Sequence, residues 1–188
     1  MGHSRTRSIS SVQHPNRPRR TLSNSSVSSL DQCRYAIGLG SNLGDRLSYL
    51  RRAAESLHAF TPLLARSPIY ETAPVGGPEG QGPYLNAVVI VKHAFPPHDL
   101  FQTMMGIEKQ LGRIRKERNG PRIIDLDLVW SERPYQSDAR DNAEIVVPHP
   151  RARERLFVVR PLLDVWPGLD LPIPEGAVRR IRDTLDLP

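Results

Sequence analysis

The sequence is poor in cysteine and in long apolar runs, and each shortage excludes a class of protein. Cys33 is the one cysteine among 188 residues, so the chain can form no internal disulfide and no cysteine-based zinc site. Its longest apolar runs, such as residues 87–91, fall far short of the roughly 20 residues that cross a bilayer. We therefore expect a cytoplasmic protein with one core and no membrane partner.

Acidic residues are absent from residues 1–30, which hold five Arg and nine Ser and so carry most of the net charge of +6. This segment has almost no apolar periodicity, so it cannot bury enough surface to offset the entropy of ordering. We predict a disordered basic tail over residues 1–33 and a folded domain over residues 34–188. An organelle transit peptide has the same composition and is the alternative reading of the tail.

The known glycine-rich nucleotide fingerprints are also missing. In the segment GLGSNLG, Gly38 and Gly40 are followed by Gly44, one residue later than G-x-G-x-x-G requires. No Gly-Lys-Ser or Gly-Lys-Thr occurs, so there is no Walker A loop. A tight turn with Asn42 in a left-handed conformation, followed by a helix cap, accounts for the segment without a ligand.

The apolar pattern predicts an α+β fold of alternating strands and helices. The predicted order is βαββαβ, which indicates a ferredoxin-like sandwich with two helices on one sheet face and an additional C-terminal strand and helix. The predicted strands begin at Tyr35 and cover 63–72, 84–93, 123–130 and 145–147, and the predicted helices cover 45–59, about 97–111 and 154–164. Pro68 should confine its strand to an edge or a bulge, and residues 73–83 form a loop rich in Gly and Pro.

Two aspartates alternate with apolar residues in the segment RIIDLDLVW. Residues two apart in a strand point to the same face, so Asp125 and Asp127 should stand side by side while Leu126 points away. Adjacent carboxylates on a rigid strand suit Mg²⁺ that is held by one or two carboxylates and by substrate phosphates. The alternative is a strand face that is merely solvated.

A basic segment, GRIRKERNGPR, directly precedes the acid pair. Four of its five basic residues are Arg, whose guanidinium forks bind phosphate oxygens bidentately. Asn119 and the Gly-Pro that follows it make the segment a loop and not a charged helix. The pattern predicts a loop that folds over a polyphosphate. RNA binding is the alternative, which the nearby carboxylates disfavour because they would repel a nucleic-acid backbone.

Three further residues are candidates for ligand contacts. Tyr84 and Asn86 share one face of the strand after the glycine-rich loop, where a ring and an amide can stack on and hydrogen-bond a flat heterocycle. His149 lies between two prolines with several Arg residues after it, which suits a phosphate contact. Each has a plainer structural reading, as a half-exposed strand pair and a surface histidine.

Four segments resemble those of a known family: GLGSNLGDR, SPIYETAPVG with YLNAVV, IEKQLGRIRKERNGPRIIDLDL and VPHPRARERLFVVRPL. They are similar, in order and in content, to the motifs of the 6-hydroxymethyl-7,8-dihydropterin pyrophosphokinases of folate biosynthesis, from about Tyr35 to Pro167. The resemblance implies transfer of the β,γ-diphosphate of ATP to the pterin hydroxymethyl group, with release of AMP. It implies small-molecule substrates, ATP and the pterin. We also expect a monomer without a nucleic-acid partner, and a monofunctional one, because 188 residues leave no room for a second folate-pathway domain.

The resemblance also implies the roles of individual residues. Asp125 and Asp127 would hold two Mg²⁺ ions and, with Arg113 and Arg122, would form the catalytic set. The implied ATP contacts are Glu108, Arg113, Arg115, Arg118, Arg122, Leu128, His149 and Arg155. The implied pterin contacts are Thr72, Pro74, Val75, Tyr84, Asn86 and Phe157, with the ring sandwiched between Tyr84 and Phe157.

Two positions depart from the family pattern. Asn119 stands where members usually have an aromatic residue that closes over the pterin, so a stacking contact worth about 1 kcal/mol is missing. Pro150 follows His149 where many members have an aromatic or polar residue. We therefore expect weaker loop closure and one nucleotide contact fewer.

Overall fold

The computed structural model of the chain describes residues 31–114, 119–138 and 144–185. The predicted tail up to residue 30, and the predicted ATP contacts Arg115 and Arg118, lie outside these ranges. The elements are β1 Gln32–Ser41, α1 Arg46–Phe60, β2 Leu63–Arg66, β3 Tyr70–Thr72, β4 Tyr84–Ala94, α2 His98–Gln110, β5 Asp125–Ser131, β6 Tyr135–Gln136, β7 Val146–Val147, a 3₁₀ helix Ala152–Glu154, α3 Leu156–Val165 and β8 Arg179–Arg180.

The main sheet is antiparallel and has β1 near its centre. Its strand order is β5-β1-β4-β3-β8, and β2 also pairs with β4. Ile37 of β1 lies opposite Val89 of β4 and Leu128 of β5. An antiparallel sheet packed with three helices confirms the predicted α+β class.

Helices cover both faces of the sheet, because the strands alternate between two apolar faces. On one face Leu39 and Val89 pack with α1 and α2, for example with Leu50. On the other face Val88 packs with α3, for example with Leu162. The alternation predicted for residues 84–91 is confirmed, and it directs the opposite set of β4 side chains toward α3.

The predicted strand over residues 63–72 is interrupted at Pro68, the residue predicted to impose an edge or a bulge, and the chain forms two strands there, β2 and β3. Pro68 has no amide hydrogen to continue the ladder. Ser67 takes over the pairing: its amide donates to Val88 O at 2.9 Å, and its hydroxyl oxygen accepts the Val88 amide at 2.9 Å. After this interruption the chain pairs with β4 again as β3, which ends at Thr72, beside the glycine-rich loop.

The predicted left-handed Asn42 is wrong. The positive φ in this turn belongs to Gly44, at +67°, where the absence of a side chain removes the steric cost. The predicted cap is present, because the Asp45 carboxylate accepts the Ser48 amide at 3.1 Å and so caps α1. Asn42 instead uses its side chain to bind other loops.

Two elements begin at residues other than the predicted ones. β1 begins at Gln32, before the predicted boundary, because Cys33 is buried and pairs with His93 of β4. The last helix begins at Leu156, after a short 3₁₀ helix, and not at residue 154. Among the residues described, no helix is both long and apolar enough to cross a membrane.

Candidate active site

The acid pair lies on β5 with both carboxylates on the same face, as the alternation predicts. Asp125 lies opposite Gly40 of β1, and Asp127 lies opposite Gly38. Because both of these β1 residues are glycines, β1 places no side chain beside the carboxylates. The residues between and after the pair, Leu126 included, are buried on the other face. The strand therefore holds the pair rigidly and leaves it accessible.

Two cavities meet at this pair. The first, which we call the inner pocket, lies between β4, β5 and the start of α3, and its lining includes Tyr84, Asn86 and Phe157. The second, the outer groove, runs past the end of α2, and its lining includes Glu108, Arg113 and His149. Both cavities share Asn119, Arg122, Asp125, Asp127 and Arg155. The two carboxylates therefore lie where the two cavities adjoin.

The inner pocket has aromatic walls and one buried amide. Tyr84 and Phe157 both line it. Asn86 is 5 % exposed, and its amide nitrogen donates to Thr72 Oγ1 at 2.9 Å. A Cβ built on Gly40 would lie 3.4 Å from the Asn86 carboxamide oxygen, so the absent side chain keeps that acceptor open to the pocket. The pocket suits a flat, polar heterocycle.

Arg113 joins the outer groove to the acid pair. Its guanidinium is ion-paired with Glu108, and it also lies 2.6 Å from Asp125 Oδ1. Glu108 is 6 % exposed and accepts the Leu126 amide at 2.7 Å. Burial raises the pKa of Glu108, while the Leu126 amide and the Arg113 guanidinium act against that rise. Glu108 thus fixes both the start of β5 and the position of Arg113.

The Arg122 guanidinium lies 2.9 Å from the other carboxylate oxygen of Asp125, Oδ2. Asn42 binds the backbone of Arg122 through two hydrogen bonds. The Arg122 backbone amide donates to Asn42 Oδ1 at 2.8 Å, and the Asn42 backbone amide donates to Arg122 O at 3.1 Å. The Arg122 guanidinium also donates to Gly120 O at 3.1 Å. Although burial acts against it, the nearby Asp125 carboxylate helps to raise the pKa of Arg122, so this side chain stays charged.

His149 and Arg155 complete the wall of the groove. The Nδ1 atom of His149 accepts the Arg151 amide at 3.0 Å. Burial, with Arg155 and Arg151 nearby, lowers the pKa of His149, so the ring is neutral and carries its proton on Nε2. Arg155 lies 4.0 Å from Asp127 Oδ2 and sits over the Phe157 ring at 5.6 Å. The groove therefore offers hydrogen-bond donors and positive charge.

The acid pair fits a divalent cation. Burial and the neighbouring Asp125 carboxylate raise the pKa of Asp127 to about 6, although the Arg155 and Arg113 guanidinium groups act against that rise. In the parts of the chain that the structure describes, no group of three or more His, Cys, Asp and Glu side chains is placed to hold a metal ion. A cation at this pair would take its other ligands from phosphate oxygens and water, as Mg²⁺ commonly does.

The structure brings together most of the predicted residues. Five of the six predicted pterin contacts line the inner pocket, while Pro74 lies between the lining residues Ala73 and Val75. Leu128 lines neither cavity, because its side chain is 6 % exposed in the core between the sheet and the helices. The predicted role of Leu128 used its backbone, and that role stays a prediction.

Sequence reasoning missed four residues at the site. Gly40 shapes the inner pocket, Arg151 lines it, and Asn42 and Gln81 connect the loops around it. A repeated glycine inside an apolar strand is a signal of close approach, and it could have identified Gly40. The contacts of Asn42 and Gln81 join segments about 40 and 80 residues apart, for which no local pattern exists.

Comparison with known proteins gives a consistent result. The model of the family described as 7,8-dihydro-6-hydroxymethylpterin-pyrophosphokinase (HPPK) matches residues 36–167. The chain is 44% identical over 131 residues to the 2-amino-4-hydroxy-6-hydroxymethyldihydropteridine pyrophosphokinase of Bacillus subtilis, covering 69% of this chain and 75% of that protein. It is 42% identical over 156 residues to the protein of the same name from Methylorubrum extorquens, covering 81% and 94%.

Solved structures agree at the level of the fold. The chain superimposes on the wild-type HPPK-DHPS protein of Plasmodium falciparum with pteroate at a TM-score of 0.55 and 12% identity. The match covers 82% of this chain and 43% of that one, so this chain spans less than half of the malarial protein. With the family match over residues 36–167 and the two bacterial relatives, we conclude that this chain belongs to the HPPK family.

Proposed function

We propose that this chain joins its two substrates at the junction of the inner pocket and the outer groove, with the acid pair between them. Family membership makes it a pyrophosphokinase of hydroxymethyldihydropterin in folate biosynthesis, with ATP as co-substrate. The roles of individual residues are our proposal. One observation carries it: Arg122, Asp125, Asp127 and Arg155 belong to the walls of both cavities.

The inner pocket would bind the pterin. Its ring would stack between Tyr84 and Phe157, and the free oxygen of the Asn86 carboxamide would accept a hydrogen from the ring edge. Backbone groups of Thr72, Pro74 and Val75 would complete the pocket. This pose would direct the hydroxymethyl oxygen toward the acid pair.

The outer groove would bind ATP. Arg113, Arg122 and Arg155 supply guanidinium groups for the phosphates, and His149 supplies the Nε2 hydrogen. Arg115 and Arg118 would add charge from the loop, and Glu108 would act through Arg113. Backbone groups at Leu128 would lie near adenine. Asp125 and Asp127 would hold two Mg²⁺ ions, which when bound would neutralise charge on the phosphate oxygens.

The reaction needs alignment and charge stabilisation more than covalent help. The hydroxymethyl oxygen loses its proton to solvent water and forms a bond to the β-phosphorus of ATP. The bond from that phosphorus to the bridging α,β oxygen breaks, and AMP leaves with the electron pair. Guanidinium groups that lie beside the transferred diphosphate stabilise the charge that develops there. The rigid β5 strand keeps the acid pair in line with both substrates.

Three further properties belong to this proposal. The strand order β5-β1-β4-β3 supports a ferredoxin-like topology with α3 and β8 as additions. We propose a monomer that works in the cytoplasm and binds neither nucleic acid nor membrane. We propose that the basic segment of residues 1–30 takes no part in catalysis.

A product assay tests the function. ATP, Mg²⁺ and 6-hydroxymethyl-7,8-dihydropterin are mixed with the protein, and AMP is measured with and without the pterin. We expect AMP that forms when both the pterin and Mg²⁺ are present and that stops on addition of EDTA. AMP formation that is independent of the pterin, or no AMP at all, would overturn the proposal.

A further inference from the structure

Gln81 connects three segments that surround the junction of the two cavities. Its carboxamide nitrogen lies 3.2 Å from each of three carbonyl oxygens, those of Gly76, Pro78 and Asn119. Its carboxamide oxygen accepts the Asn42 side-chain amide at 3.2 Å. Three carbonyl groups around one end and a donor at the other fix the orientation of the side chain.

One side of this connection belongs to the inner pocket. Val75 and Gly76 line that pocket, and Gly76 is one of the carbonyl groups that Gln81 holds. Gly77 has a φ of +86°, and a Cβ built there would lie 2.2 Å from Asn119 O. Only a glycine at this position lets the loop of residues 73–83 come so close to Asn119.

The other side belongs to the diphosphate site. Asn42, whose side-chain amide donates to Gln81, binds both backbone polar groups of Arg122, at 2.8 and 3.1 Å. Arg122 in turn is ion-paired with Asp125 at 2.9 Å. Asn42 is 7 % exposed, so its hydrogen bonds are shielded from water. A continuous set of hydrogen bonds thus runs from the wall of the inner pocket to the acid pair.

We propose that Gln81 is a positioning residue that couples occupancy of the inner pocket to the placement of Arg122. A ligand that restricts the motion of Val75 and Gly76 also restricts the Gln81 side chain, which contacts Gly76 O. Because Asn42 is hydrogen-bonded to both Gln81 and the Arg122 backbone, the motion of Arg122 is restricted as well. Binding at the two cavities is then cooperative, and by linkage each substrate raises the affinity of the protein for the other by the same factor. The inference rests on the proposed role of Arg122. We call the contacts of the Gln81 side chain with Asn42, Gly76, Pro78 and Asn119 the latch. The latch includes Asn119, the position where the family pattern has an aromatic residue.

A coupling measurement tests the latch. The dissociation constant of the hydroxymethyl-dihydropterin is measured by calorimetry with and without α,β-methylene-ATP and Mg²⁺, and the ratio is the coupling factor. We expect about tenfold coupling in the wild-type protein, within the usual range for linked sites. We expect a factor near one in Gln81→Ala and in Gln81→Glu, because each removes the NH2 group that faces the three carbonyl oxygens. Gln102→Ala, an exposed substitution on α2, is the matched control and should retain the wild-type factor.

The latch also predicts that the Gln81 variants change kcat more than the KM for ATP. In the Gln81 variants kcat should fall about tenfold, while the KM for ATP measured at low pterin stays within about threefold, because the nucleotide groove keeps its own side chains. A melting temperature within a few degrees of wild type shows that the fold persists. Gly77→Ala, whose added methyl group would push the loop of residues 73–83 away from Asn119, should reproduce the loss of coupling.

The outcomes separate the latch from the function. Wild-type coupling in both Gln81 variants and in Gly77→Ala would overturn the latch, and so would a wild-type coupling factor near one. The coupling factor is a binding measurement, so it decides the latch whether or not turnover is detected. Failure of the wild-type protein to form pterin-dependent AMP overturns the proposed function instead.

Discussion

The Arg122 guanidinium lies 2.9 Å from one oxygen of the Asp125 carboxylate. Arg113 lies 2.6 Å from the other oxygen, so two guanidinium groups neutralise this acid. In the proposed function, binding of a cation and a triphosphate would exchange these partners: the carboxylate would bind the cation, and the guanidinium groups would bind the phosphates. The ion pairs keep both groups in place and limit the reorganisation that substrate binding requires.

Arg122→Lys should lower kcat by about two orders of magnitude, because an ammonium cannot replace the bidentate fork at the transferred diphosphate. The KM for the pterin should change by no more than about threefold, since Arg122 faces the phosphate end. Steady-state kinetics with both substrates measure this division. Arg52→Lys, an exposed change on α1, is the control. A fully active Arg122→Lys would contradict the assigned role.

Asp127→Asn should abolish transfer and yet stabilise the metal-free protein at pH 7.5. Burial and Asp125 raise the pKa of Asp127 to about 6, so the folded state penalises the ionised form. This penalty is absent below the pKa of the unfolded chain, near 4, and is complete above about pH 6. The side chain is 43% exposed, so after allowance for screening we expect about 1 kcal/mol.

Urea unfolding at pH 4 and at pH 7.5 measures this effect without metal. The Asn variant should exceed wild type in its free energy of unfolding at pH 7.5 and match it at pH 4. A variant that is less stable than wild type at both pH values would show that the Asp127 carboxylate is a net stabilising group, and the expected penalty on its ionised form would be refuted.

Binding of the Mg²⁺ complex of α,β-methylene-ATP should weaken below pH 6, because a proton and the cation compete for Asp127. With a pKa of about 6, the dissociation constant should rise about tenfold at pH 5 relative to pH 7.5. Calorimetry at the two pH values measures the change. Equal affinity at both pH values would place the cation away from this carboxylate.

Gly40→Ala should weaken pterin binding and leave nucleotide binding unchanged. The added methyl group would lie 3.4 Å from the Asn86 oxygen and 3.8 Å from the Tyr84 ring, within the space that the heterocycle would occupy. We expect a rise of about tenfold in the KM for the pterin, which corresponds to about 1.4 kcal/mol. Gly106→Ala on α2 is the matched control, because nothing lies within 4 Å of its Cβ. That control should stabilise the protein slightly.

Local patterns in the sequence predict much of this fold. The alternation of Asp125 and Asp127 with Leu126 depends on a period of two residues, so their shared face is predictable without any long-range contact. The helical stripe that includes Leu100 and Met104 is local in the same way. The class of the fold and the face of the acid pair follow from such patterns.

The rest depends on contacts between distant segments. The Asn42 to Arg122 hydrogen bonds span 80 residues, and the bond from the Leu126 amide to Glu108 spans 18. Neither partner has a local pattern that favours the contact, so the positions of Arg122 and Arg113 relative to Asp125 emerge only when the strands pair. The split of the strand at Pro68 likewise required the Ser67 hydroxyl to pair with Val88.

The most direct test of the site follows the phosphorus chemistry itself. ATP, Mg²⁺ and the hydroxymethyl-dihydropterin are incubated with the wild-type protein and with Asp127→Asn, and products are identified by ³¹P NMR. We expect AMP and a pterin diphosphate with wild type and neither product with the variant. Formation of ADP and a pterin monophosphate, or equal turnover by Asp127→Asn, would contradict diphosphate transfer across the acid pair.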